Sequence, residues 1–159
     1  MLIHDFVLVE EPIAKISSAV IDGKAWLGQN ATQAYKEAEN LRIKVGPKIG
    51  SKFSAKEVVL FMGSYRKTRD SYIIPITWEA TGTPGLFPTL KADFLLAPLG
   101  DMATQITLTG SYEPPLGQMG QKLDQLLLHR LAETTIRSFL IGVKEFFTDP
   151  IVVPKVPIY

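Results

Sequence analysis

Between Tyr72 and Tyr112 the chain alternates apolar and polar residues with a period of two, and from Leu116 to Phe147 the period becomes that of one long helix. A sheet with one buried face must therefore meet a single helix longer than any of its strands. In the first alternating segment, Tyr72 to Thr81, one face carries Tyr72, Ile74, Ile76, Trp78 and Ala80, and the other carries Thr77 and Glu79. After a loop from Gly82 to Pro88, Leu90, Ala92, Phe94 and Leu96 point inward while Lys91 and Asp93 point outward. In a third segment, from Ala103, Ile106, Leu108, Gly110 and Tyr112 face in and Gln105, Thr107, Thr109 and Ser111 face out. This is the pattern of an antiparallel meander with one solvated face. Pairing Glu79 with Lys91 would set unlike charges across the first hairpin and place Thr77 opposite Asp93, so that register is the expected one.

The helix that follows spans about 30 residues, or about 45 Å at 1.5 Å per residue. Lys122, His129, Glu133, Arg137 and Lys144 share one narrow arc of it. Leu123, Leu127, Leu128, Leu131, Ala132, Thr135, Phe139 and Val143 spread over roughly 200° opposite, which is wider than one sheet contact needs, so a second element must cover part of it. The tail from Thr148 to Tyr159 sets Pro150, Pro154 and Pro157 among five Ile and Val residues and is a candidate for that cover, on its own chain or on a partner. Gly142, inside the helix, costs about 1 kcal/mol relative to alanine and marks a close approach to another backbone.

Upstream, Leu2 to Val9 reads as a strand that stops at Glu10-Glu11-Pro12, and Ile13, Ile16, Ala19 and Val20 mark a short helix closed by Gly23. Asn30 with Gln33 has the form of a capping box, so a second short helix is expected from about Ala31 to Asn40, with Ala31, Ala34, Tyr35, Ala38 and Leu41 on its buried face. Asn30-Ala31-Thr32 is also a glycosylation sequon, but the cap accounts for it. Arg42 to Val45 is expected as a short strand, Gly46 to Ala55 as a basic loop, Lys56 to Arg66 as a strand and Lys67 to Ser71 as a turn. One domain is expected over residues 1–147, followed by the apolar, proline-rich tail.

Composition narrows the chemistry. The sequence has 17 Lys+Arg against 16 Asp+Glu and no cysteine, which excludes disulfides, thiolate metal sites and thiol nucleophiles and counts against broad nucleic-acid binding. No apolar run approaches the roughly 20 residues of a membrane span, and acids stand where a signal peptide needs a basic flank, so the cytoplasm is the expected location. Two distant histidines, His4 and His129, lack metal-ligand spacing, and no metal or cofactor is expected. Gly46 to Lys52 lacks the spacing of a phosphate loop and is discarded as one. Lys44, Lys48, Lys52 and Lys56 form one basic stretch and Arg66, Lys67 and Arg69 another; they serve as solvated surface or steer an acidic ligand or partner.

Trp78-Glu79-Ala80-Thr81-Gly82, Gly85-Leu86-Phe87-Pro88, Ala97-Pro98-Leu99-Gly100, Thr107-Leu108-Thr109-Gly110-Ser111-Tyr112 and Pro114-Pro115-Leu116-Gly117, with Leu123-Asp124 and His129-Arg130-Leu131-Ala132-Glu133, resemble a bacterial group of START-like proteins in the SRPBCC superfamily, which includes polyketide cyclases and lipid-transfer proteins. The resemblance implies an α+β helix-grip fold, a curved antiparallel sheet wrapped around the long C-terminal helix with two short helices after the first strand. It implies an apolar cavity between sheet and helix but no particular reaction.

The expected partner is thus a small hydrophobic or amphipathic molecule, lined by Ile74, Ile76, Trp78, Phe87, Phe94, Leu108, Tyr112, Asp124, Leu128, Leu131 and Thr135. Trp78 and Tyr112 join a large apolar body to one polar atom, which suits a cavity wall or ordinary core packing alike. Phe87 closes one end of the cavity or plugs the core. Asp124 lies in the middle of the apolar arc, where a carboxylate either orients a ligand or anchors the helix through a backbone amide or an arginine. His129 belongs to the charged arc and reads as a surface histidine. Two alternatives stand beside binding: an enzyme of cyclase or dehydratase type, for which no acid and base appear at recognisable spacing, and a homodimer built on the C-terminal helix or tail.

Overall fold

A computed structural model describes residues 1–45, 57–81, 89–113 and 125–148, with the side chains of residues 42, 43 and 45 excepted. In chain order these residues form β1 (Leu2–Val9), α1 (Ile13–Asp22), α2 (Lys24–Val45), β2 (Val58–Met62), β3 (Arg66–Thr68), β4 (Ser71–Ala80), β5 (Thr89–Pro98), β6 (Thr104–Glu113) and α3 (Gln125–Thr148). The loops expected at Gly46 to Ala55 and Gly82 to Pro88, the first part of the long helix with Asp124, and the tail after Thr148 lie outside the described residues.

The strands form one antiparallel sheet in the order β1-β6-β5-β4-β2, and β3 pairs with β4 on the same edge as β2. The first strand is therefore zipped to the last, and the Tyr112 N–H donates to the Met1 carbonyl at 2.8 Å. Alternation places the inward sets as expected: Ile74, Ile76 and Trp78 on β4, Leu90, Phe94 and Leu96 on β5, and Ile106, Leu108 and Tyr112 on β6 are buried in one core with Ile3, Val7 and Val9 of β1. Pro75 is tolerated within β4 because its missing N–H faces Gly63, where β2 has ended; there the Gly63 N–H donates to the Pro75 carbonyl at 2.8 Å. Together the long helix and this sheet make the helix-grip α+β fold.

Several expectations are corrected. The hairpin register is Thr77 opposite Lys91 and Glu79 opposite Thr89, two residues from the one expected. A slip of two leaves every side chain on its own face, so alternation fixes the parity of a strand and not its pairing. The second helix is α2, which starts immediately after Gly23 and continues through Val45, so Arg42 to Val45 is its last turn and no strand. Asn30 consequently sits inside that helix and caps nothing; its Nδ2 donates to the Phe139 carbonyl of α3 at 2.8 Å. The expected strand from Lys56 to Arg66 is broken at Gly63, leaving β2 and the three-residue β3, which turns into β4 through Arg69 with φ at 49°. Thr107, expected in water, is buried because Phe6 and Leu95 flank it on the outer face.

The second cover for the wide face of α3 is α2. Along their contact a Cβ on Gly142 would collide with the Asn30 side chain, so the glycine faces an amide, where the sequence suggested a backbone. At the far end Trp26 of α2 stacks on Phe146 of α3 with centroids 4.1 Å apart, while its Nε1 donates to the Ala19 carbonyl at 3.2 Å. Gly23 makes room for that indole.

On each free edge of the sheet one residue is bonded by a side chain from a helix. On β1, the Phe6 N–H donates to Asp5 Oδ1 at 2.8 Å and the Phe6 carbonyl accepts from Arg137 of α3 at 3.0 Å, with Arg137 also 3.1 Å from Asp5. On β2, the Val58 N–H donates to Thr32 Oγ1 of α2 at 2.8 Å, and the same hydroxyl lies 3.4 Å from the Val58 carbonyl.

Candidate ligand-binding site

The cross-strand pairs Leu60–Trp78, Trp78–Leu90 and Leu90–Tyr112 set four inward side chains in one row across the sheet. Phe139 of α3 meets this surface edge-on, 5.2 Å from the Trp78 ring and 6.1 Å from the Phe94 ring. The gap left among Val20, Leu27, Leu60, Met62, Ile76, Phe94 and Phe139 admits no water. In this part of the molecule the inner face is filled by side chains. Ile74, Ile76, Trp78, Phe94 and Leu108 are all buried there.

The surroundings change at Tyr112. Its phenol is 5% exposed and hydrogen-bonded to Thr135, whose own hydroxyl donates to the Leu131 carbonyl at 2.7 Å. The Glu39 carboxylate of α2 acts on the same phenol. Burial, reinforced by that negative charge, holds the phenol well above the usual tyrosine range, against the opposing pull of Thr135. Among buried side chains of the described residues no polar atom is left unsatisfied.

From Thr135 back to Gln125, α3 runs ten residues, about 15 Å. Over that length Leu131 is buried and Leu128 and Leu127 are half-buried. Tyr112, Thr135, Leu131 and Leu128 thus belong to one region, whereas Ile74, Ile76, Phe94 and Leu108 belong to the filled core, with Trp78 in the row between. Phe87 and Asp124 lie outside the described residues. Glu39 was missed by sequence reasoning because the face of its helix was drawn through alanines and Tyr35 alone. A helical wheel puts it about 40° from Tyr35, so the signal was present.

Elsewhere the polar candidates lie on the surface. His129 is paired with Glu133 at 2.9 Å and His4 Nδ1 with the Thr109 hydroxyl at 2.8 Å, and both histidines border an outer groove of about 510 Å³ between β1 and α3. Among the described residues no cluster of His, Asp and Glu has the geometry of a metal site, and no helix is long and apolar enough to cross a membrane. Arg66, Lys67 and Arg69 are exposed, with the Lys67 ammonium 5.4 Å from the centre of the Tyr72 ring.

No family model matches the chain, and no curated protein sequence matches it. Solved structures do. A conserved protein from Geobacillus kaustophilus is similar with a TM-score of 0.59 and 16% identity, covering 92% of this chain and 95% of that one. A hypothetical protein from Helicobacter pylori follows with a TM-score of 0.51, 10% identity and coverage of 92% and 88%. An aromatase/cyclase from Streptomyces sp. R1128 also matches, at a TM-score of 0.49 and 11% identity, with 92% of each chain covered. At such identities a likeness shows the fold alone, the helix-grip arrangement of sheet and long helix described above.

Proposed function

We propose that the chain binds one small hydrophobic or amphipathic molecule between the sheet and α3. Its apolar part lies against Leu127, Leu128 and Leu131, and its polar group lies beside Tyr112 and Thr135. The observation that carries this reading is the pairing of a half-buried leucine stripe with a buried phenol–hydroxyl chain at its inner end. An apolar wall with a few convergent polar atoms is the usual composition of a small-molecule site. Affinity comes from burial at about 25 cal/mol per Å² of apolar surface, and Tyr112 and Thr135 set the orientation.

Titration with the neutral fluorophore N-phenyl-1-naphthylamine tests it. Wild type is expected to bind the dye, and Leu128→Glu to lose at least about tenfold in affinity while melting close to wild type, because the changed residue is only half-buried. Equal dye binding by both proteins, or none by wild type, refutes the proposal. Native mass spectrometry of protein purified from its source, followed by denaturation, identifies any molecule carried along.

A further inference from the structure

Past Arg137 the outer groove between β1 and α3 continues as a second hollow of about 490 Å³ that ends at Thr148. Its walls are apolar: Phe6 and Leu8 are each 46% exposed on one side and Ile141 is 39% exposed on the other. Exposed side chains of this size, gathered in one place, mark a surface that something covers. The backbone of β1 is available beside them. Since Met1 is hydrogen-bonded to Tyr112 across the β1–β6 ladder, alternation turns the N–H and C=O groups of Phe6 and Leu8 to the free edge. Those of Phe6 are taken by Asp5 and Arg137, and those of Leu8 stand next to the apolar walls.

Thr148 is the last described residue and lies on the rim of this hollow. The sequence goes on with Asp149-Pro150 and then Ile151-Val152-Val153. A proline at that point cannot extend the helix, and it disfavours helical backbone at the residue before it. From Thr148 back to Arg137 α3 rises about 16 Å, which an extended chain retraces in about five residues, so positions 151 to 153 fall within the hollow. The first residues of β1 flank His129 to Arg137 and its last flank Arg137 to Thr148, so a returning chain meets β1 antiparallel.

We propose that the segment from Asp149 onward folds back along its own α3 and fills this hollow, with Ile151, Val152 and Val153 against Phe6, Leu8 and Ile141. The inner face of α3 already has α2 as its cover, so the outer side is the apolar surface left for these residues. Three β-branched residues suit an extended chain beside Leu8. Attachment selects the occupant: a segment joined at the rim by a few residues has an effective concentration in the millimolar range, on the order of what a short flexible linker gives, and no partner in solution matches that. The hollow lies outside the region of Tyr112, Thr135 and Leu128, so the proposal stands apart from ligand binding.

The chain has no cysteine, so two introduced thiols report on each other alone. Leu8→Cys is combined in turn with Ile151→Cys, Val152→Cys and Val153→Cys in the full chain, and each pair is oxidised by glutathione disulfide in dilute solution. Non-reducing gels separate the products and mass spectrometry maps the bond. As control, Phe146→Cys offers the same tail positions a thiol close to the start of the tail but on the α2 side of α3, where Phe146 stacks on Trp26. At least one Leu8 pair should close within a single chain about tenfold or more faster than the matching Phe146 pair. Ile141→Glu added to that Leu8 pair charges the apolar wall and should slow closure to the control rate; Ile141 is partly exposed, and circular dichroism checks that the fold is kept. Equal closure at Leu8 and Phe146 overturns the proposal, as does closure that Ile141→Glu leaves unchanged. Disulfide-linked dimers as the main product of the Leu8 pairs overturn it too, and assign the hollow to the tail of a second copy.

Discussion

Gly142 and Asn30 make a pair whose energetics should change sign with context. A glycine inside a helix ordinarily costs about 1 kcal/mol relative to alanine, so Gly142→Ala would be expected to stabilise α3 by that amount. In this protein the added methyl would overlap the Asn30 side chain, and relieving the overlap means pushing the amide off the Phe139 carbonyl, to which it donates at 2.8 Å. The overlap and the lost hydrogen bond together cost about 2–4 kcal/mol, so the single substitution should destabilise by a net 1–3 kcal/mol, or about 2–10 °C in melting temperature. Asn30→Ala alone should cost about 1–2 kcal/mol. Once the amide is absent the methyl has room, and Gly142→Ala in the Asn30→Ala background should stabilise by up to about 1 kcal/mol. The four proteins of this cycle, unfolded in urea and followed by far-ultraviolet circular dichroism, should show a coupling of about 2–4 kcal/mol. Equal effects of Gly142→Ala in both backgrounds would refute the contact.

Three further outcomes are expected. Tyr112 has a folded-state pKa raised above its unfolded value of about 10, so its contribution is fully present below pH 10 and is lost as pH rises from there toward the folded value. Denaturant titrations from pH 9 to 11 should give a shallower loss of stability for Tyr112→Phe than for wild type, the difference approaching about 1.4 kcal/mol per pH unit above pH 10; parallel profiles would contradict the buried phenol. A Cβ on Gly110 would meet the Lys91 carbonyl and the Ala92 backbone across β5, so Gly110→Val should cost on the order of 2–4 kcal/mol, and an unchanged urea midpoint would refute that close approach. Gly23→Ala should expel Trp26 from the α1–α2 junction, seen as a red-shifted, more quenchable tryptophan signal, which replacing Trp26 by Phe removes.

The parts of this fold legible in the sequence are those set by periodicity. Ile74, Ile76 and Trp78 alternate with residues that are not buried, and Phe139, Val143 and Thr135 share a helical stripe, so faces and element order could be read directly. Register could not, because Glu79–Lys91 and Thr77–Lys91 are equivalent to a two-residue period. Asn30 shows a second limit: one amide satisfies the local rule for a helix cap and also the tertiary need for a donor between two helices, and the tertiary contact decided. For the candidate site, Tyr112, Thr135, Leu131 and Leu128 came from inward parity and the helix stripe. That Tyr112 and Thr135 would bond to each other, and that Glu39 would join them, depends on how α2 leans across α3, which no local pattern encodes.

The blocked edges of the sheet tie two processes together. Phe6 is closed off by an arginine from α3 and Val58 by a threonine from α2, so one position on each edge is sealed by a side chain that arrives only when its helix docks. An intermediate in which the meander has paired and the helices have not yet landed carries two open templates, one at each side, ready to recruit another chain. Quality control in this protein is accordingly a matter of timing: the same docking step that completes the interior also takes one position of each edge out of reach, and whatever slows that step favours assembly of strands between molecules.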